Sequence, residues 1–187
     1  ATLWLAAGWF GAHGIISPIA LVALPIALAT TAYTGLLFAQ GLARDLWQGS
    51  HATVDLIAQA IIEGASVLLI AGLFTGAVDT TVRMLAWTLG LATTLHVLIL
   101  VLEHLFTPSA TLHHELAVRA IVRGAFRHHF WIGALGIGGL APLALFTLAL
   151  STGLTSGVVA GVALTALVGG FVWEYIWVEA GQSVPLS

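Results

Sequence analysis

The chain of 187 residues is 59% hydrophobic and 7% charged, with a mean hydropathy of +1.06 and a formal charge of -3. So little charge excludes an ordinary soluble domain and points to an integral membrane protein. Lys is absent, and the basic residues are Arg44, Arg83, Arg119, Arg123 and Arg127, too few and too scattered for a nucleic-acid partner. Cys is absent as well, which removes thiolate-bound clusters, haem thioether links and disulfides; His and carboxylates are then the only strong donors a metal could use.

Residues 1–14, with Trp4, Trp9 and Phe10, are too short to span a bilayer and aromatic enough to lie at its interface. They read equally as the truncated end of a preceding helix. No basic stretch followed by a cleavage site marks them as a signal peptide, and with Ala1 rather than Met in front the expectation is a piece of a longer polypeptide. Residues 15–187 read as an all-α transmembrane bundle of about five helices, with spans at 16–42, 54–76, 83–106, 129–151 and 155–178. Turn chemistry separates them: Gly49-Ser50, Gly76 to Asp79, Thr107-Pro108-Ser109 and Ser151-Thr152-Gly153. Pro18, Pro25 and Pro142 fall in or at the start of spans, where a kink is expected. Arg44, Arg119, Arg123 and Arg127 fall on one side of the membrane against Arg83 on the other, which puts that side and the C-terminus in the cytoplasm. Residues 113–127, with Glu115, Arg119, Arg123 and Arg127 at four-residue spacing, read as an amphipathic helix at the cytoplasmic headgroups, in contact with membrane lipid.

An ionisable group inside a span costs about 3 kcal/mol on insertion scales unless it meets a partner, a cavity or a proton. On the second span Asp55, Gln59 and Glu63 recur every four residues and form one polar stripe, which Ser66 extends. Such a stripe faces the bundle interior, either as hydrogen-bonding glue between helices or as a proton path. On the third span His96 and Glu103 share a face, with Thr93 above and His104 beside the helix end; the pair suits proton transfer or hydrogen bonding to a quinone head, or else ordinary bonding to a neighbouring helix. Asp55, Gln59, Glu63, His96 and Glu103 are thus the proton-route candidates. Glu174, among Phe171, Trp173, Tyr175 and Trp177, is expected to pair with Arg44 or Arg127. Of the eight His only His96 lies deep in a span, so a haem held by two His is not expected, and neither is a metal site. Gly157/Gly161, Ala166/Gly170 and Gly133, Gly136 and Gly139 permit close helix packing.

Three patches carry a family resemblance: Tyr33-Thr34-Gly35-Leu36-Leu37 running on to Ala43-Arg44-Asp45-Leu46-Trp47; Arg119 to Gly124 leading into Phe130-Trp131-Ile132-Gly133 and Pro142-Leu143; and Ala180-Gly181-Gln182 with Pro185-Leu186-Ser187. They resemble the NrfD-type membrane subunits of polysulfide reductase and of alternative complex III. Members have eight to ten spans in two bundles, so the resemblance implies the second half of such a subunit. It further implies a multi-pass protein of the prokaryotic inner membrane that handles quinone or quinol as substrate and binds no redox cofactor itself. Its partners would be an iron-sulfur subunit and larger redox subunits carrying molybdopterin or haem, and the quinone site would lie mainly in the other bundle. Glu63 and His96 then become candidates for moving protons. From the residues alone a secondary transporter or proton channel, or a purely structural anchor, stays open.

Overall fold

The computed structural model describes residue 6 and residues 10–41, 44–49 and 51–184; Trp4, Trp9, Ala43, Ser50 and residues 185–187 lie outside them. Every regular element among the described residues is helical. Five helices are long and apolar enough to cross a membrane: α1 (Ile16–Ala39), α2 (Ala52–Thr75), α3 (Asp79–Phe106), α5 (His129–Thr152) and α6 (Ser156–Ser183). The short α4 (Leu112–Val122) joins α3 to α5. The all-α bundle expected from composition is thus the observed architecture. The last helix runs on to Ser183, and α1 stops at Ala39, where Gln40 closes its end by donating to the Leu37 carbonyl at 3.1 Å.

Local chemistry sets the ends. Gly76, at φ +66°, closes α2 in the left-handed conformation that Gly adopts without a Cβ penalty. Thr111 and Thr155 cap α4 and α6, their hydroxyls accepting from the backbone N–H of His114 and Val158. α1 stays helical through Pro25. In α5 the residues His129–Leu140 wind as a π-helix and the α-helical turns begin only at Ala141. Pro142 lacks an N–H and its ring crowds the carbonyl four residues back, so the wider turn before it relieves both faults.

Helices α2, α3, α5 and α6 form a four-helix ring, α1 leans on α2 from outside, and α4 lies across one end. Gly138 of α5 and Gly169 of α6 meet backbone to backbone, so a Cβ on either would collide with the other's main chain. Gly133 and Gly139 admit Val172 and Val97 in the same way, whereas Gly157 faces open space. α1 is nearly all exposed on its own, and its threonine hydroxyls are satisfied within the helix, Thr30 donating to Ile26 O at 2.8 Å and Thr31 to Ala27 O at 3.1 Å. The ring holds two apolar cores. One, around Leu46, Leu100, Ile121, Phe130, Trp173 and Ile176, lies toward the arginine-rich end. The other, around Ile62, Leu69, Leu89, Phe146 and Val162, lies toward the opposite end. By their order along α2, α3 and α6, a polar layer falls between the two.

Candidate functional site

The layer is built on Asp55, in the first turn of α2. Its Oδ1 accepts from His96 Nδ1 of α3 at 2.5 Å; its Oδ2 accepts from Gln59 Nε2 at 2.9 Å and from Trp173 Nε1 of α6 at 3.1 Å. Asp55, Gln59 and His96 are 6%, 4% and 4% exposed. One carboxyl group therefore gathers donors from three helices, with water almost wholly excluded. With Nδ1–H given to Asp55, the imidazole has Nε2 left as its second proton site. Such a pair can pass a proton without moving a heavy atom far.

Glu63, two turns along α2, stands at the edge of this group. It shares a cavity of about 10 Å3 with Gln59, Ile62, His96, Gly138, Ala166 and Gly170, close to the volume one water needs. Gln59 Oε1 is buried with no hydrogen-bond partner among the described residues, an acceptor beside that space. Gly170 of α6 faces the Glu63 carboxyl, whose Oε1 would lie 3.5 Å from a Cβ there, an ordinary van der Waals contact. The carboxyl of Glu174, one turn further along α6, lies beside that of Glu63.

Glu103 ends up elsewhere. It does not join His96, which is taken by Asp55; its Oε1 lies against Gly49, 2.8 Å from where a Cβ would be. There it lines a cavity of about 360 Å3 at the arginine-rich end, with Asp45, Gln48, His51, Thr111 and His114, while remaining near enough to Asp55 to feel its charge. Asp45 accepts from the Thr111 hydroxyl and lies 4.0 Å from His113 Nδ1. His114 Nδ1 is 3.0 Å from Ser109 Oγ. Burial holds the His114 imidazole below its ordinary value, with Asp45 opposing in part. A folded pKa below the unfolded one means that the unfolded chain binds the extra proton, so His114 withdraws stability as pH falls through the ordinary imidazole range near ~6.5. Thermal unfolding of the purified protein between pH 7.5 and pH 5 is therefore expected to show a smaller acid-side loss in His114→Gln than in the unsubstituted protein.

Two further expectations are corrected. Glu174 pairs with neither arginine: Arg44 donates to the carbonyls of Gly181, Gln182 and Val184 at 3.0, 3.0 and 3.2 Å, Arg127 Nε donates to His128, and Glu174, exposed on the bundle surface, faces Glu63 instead. The reason is geometric, since Arg44 caps the C-terminal carbonyls of α6, two turns beyond Glu174. His104, beside the end of α3 as expected from its position, is 6% exposed, with ring centres 5.1 Å from Trp173 and 5.9 Å from Phe130. Its Nδ1–H, from within the π-turn that ends α3, reaches back to Leu100 O at 3.2 Å. The second concerns Trp173: its place in the aromatic set near the end of the last span fits an interfacial girdle, and it is found as a buried donor to the central carboxyl. Ser66 and Thr93 lie fully buried, their hydroxyl oxygens without partners among the described residues.

The resemblance-carrying patches meet in space. Besides the Arg44 bonds to Gly181 and Gln182, Trp47 Nε1 donates to Trp177 O at 3.3 Å and its indole fills the space that a side chain at Gly181 would need. Phe38 packs on both Trp47 and Trp177, with ring centres 5.2 and 5.0 Å away. These residues anchor the α1–α2 loop to the end of α6.

Five apolar spans, three of which share a buried polar layer, define a multi-pass, all-α membrane protein. The family described as polysulphide reductase, NrfD matches residues 2–185, and the chain belongs to it. A selenate reductase subunit from Mesobacillus selenatarsenatis is 25% identical over 141 residues, which cover 73% of this chain and 33% of that protein. The chain thus spans about one third of the length of that curated relative. No solved structure matches it.

Proposed function

We propose that the chain is part of a quinone-interacting membrane subunit of a respiratory oxidoreductase complex in a prokaryotic inner membrane, and that its polar layer carries protons. The iron-sulfur clusters, and the molybdopterin or haem, would reside in partner subunits. Family membership and the likeness to a selenate reductase subunit support the first part. The observation that carries the second is the buried contact of Asp55 with His96 between two apolar cores. Ionisable groups at such a position are costly and are retained where they serve ion or proton passage.

On this reading the cavity lined by Glu103 and His51 is the mouth on the arginine-rich side. Protons pass from Glu103 to the Asp55–His96 pair, and a single water in the small cavity bridges Gln59 and His96 to Glu63. Glu174 is the last carboxyl before the bundle surface. The chain's own residues thus hold and hand on protons, while electrons move between quinone and a partner's cluster. The test uses the complete complex in sealed vesicles. Glu63→Gln and His96→Ala are expected to reduce quinone-linked proton uptake by at least tenfold; unchanged uptake and turnover in both would sink the role. Purification of the chain without an iron-sulfur partner would favour a transporter instead.

A further inference from the structure

Helix α4 carries Arg119, with Arg123 at its C-cap, on the same end of the bundle as Arg44 and Arg127. Between α4 and the end of α3 lies a crevice of about 240 Å3, lined by the apolar Leu105, Val118 and Val122 and by His104 and Glu115, with both arginines on its rim. On their other flank a shallow groove of about 580 Å3 runs past Leu116 and Ala120 and is bordered by the same two arginines. Arg119 places one guanidinium nitrogen 3.0 Å from Glu115, an exposed pair of the kind that contributes little and leaves the other donors free. Arg123 makes no ion pair or side-chain hydrogen bond among the described residues. Neither is needed to cap α4: its final carbonyls already receive backbone N–H groups, Arg119 O from Arg123 and Gly124, and Ala120 O from Phe126. Two planar cations, Arg123 unpaired among the described residues and Arg119 shared with Glu115, thus flank a crevice with Leu105, Val118 and Val122 in its walls, and the surrounding surface exposes Leu102, Phe106, Leu112 and Leu116.

We infer that this crevice binds an anionic phospholipid, its phosphate held between the Arg119 and Arg123 guanidinium groups and its acyl chains lying along Leu105 and the exposed apolar surface of α3. The guanidinium fork matches phosphate oxygens. A water-soluble phosphate would satisfy the arginines and leave the apolar walls unused, whereas a zwitterionic lipid would bring its own cation to the same place. At the end of an apolar span the headgroup layer supplies an anionic lipid directly, and α4 lies in that layer. The site is independent of the proton route.

The full polypeptide, purified with its natural partners, is equilibrated in vesicles of equal phosphatidylglycerol and phosphatidylcholine, extracted, and its retained lipid counted by native mass spectrometry. Phosphatidylglycerol is expected to be enriched over phosphatidylcholine, and the enrichment to fall by about twenty-five-fold in Arg119→Gln/Arg123→Gln, about fivefold for each arginine. Glu115→Gln, which releases Arg119 without removing a cation, is expected to raise it. Equal retention of the two lipids in the unsubstituted protein overturns the inference. So does an enrichment that neither variant moves, or displacement of the lipid by millimolar inorganic phosphate, which would make a free anion the ligand.

Discussion

Asp55→Leu is expected to lower the stability of the purified protein by about 3–5 kcal/mol, the cost of removing one side of a buried, hydrogen-bonded polar pair. Three donors from three helices lose their acceptor at once: His96 Nδ1, Gln59 Nε2 and Trp173 Nε1. Leu cannot replace any of the bonds, and the layer between the apolar cores is too enclosed for bulk water to do so. Asp55→Asn separates structure from chemistry. Its amide oxygen can still accept from Gln59 and Trp173, and its NH2 can donate to the other tautomer of His96, so the fold is expected to persist with a loss of about 1–2 kcal/mol. An amide cannot take up and release a proton in the working pH range. Thermal unfolding in detergent should therefore rank the proteins as unsubstituted, Asn, then Leu, while proton uptake in vesicles should be lost in both variants. Full uptake in a stably folded Asp55→Asn protein would remove Asp55 from the route.

The second large effect is steric. Gly169→Val is expected to prevent α5 and α6 from closing, because a Cβ there would fall on the main chain of Gly138, which cannot rotate away as a side chain can. Overpacking a core typically costs about 1–3 kcal/mol, and a clash with backbone belongs at or above the upper end. The consequence should extend to the polar layer, since Gly138 and Gly170 line the same small cavity as Gln59, Glu63 and His96. Gly157→Val, at a position facing open space on the same helix, is the matched control and should unfold within about 0.5 kcal/mol of the unsubstituted protein. Equal melting of the two variants would contradict the crossing described.

Much of this is legible in the amino-acid order, for reasons that differ from residue to residue. The stripe of Asp55, Gln59 and Glu63 follows from helical spacing alone, and a polar stripe in an apolar helix has only the interior to face. Which groups it meets there does not follow. Asp55 and His96 are 41 residues apart, and their contact depends on how α2 and α3 rotate about their axes. Spacing on α3 pairs His96 with Glu103, yet the π-turn at Leu102–Phe106 shifts the residues after it out of α-helical phase. Trp173 is hidden by its neighbours: tryptophan near a span end is so commonly an interfacial anchor that its indole N–H raises no question. The crossing at Gly138 and Gly169 is obscured for a similar reason, since α5 holds several glycines and spacing rules assume α-helical turns where this segment is π-helical. Charge sign alone pairs Glu174 with an arginine, whereas Arg44 finds three adjoining carbonyls within closer reach.

Those carbonyls also bear on how the molecule is assembled. The acceptors of Arg44 follow it by 137 to 140 residues, and Trp47 finds its own acceptor 130 residues later. On a ribosome, which delivers the chain from its N-terminus, the loop between α1 and α2 therefore has no docking site until α6 has been made. Until then α2 and α3 can pair through Asp55 and His96, while Arg44 and Trp47 remain an open latch. Arrival of α6 supplies Trp173 to Asp55 and the carbonyls to Arg44 together, so the polar layer and the latch are completed by the same late event.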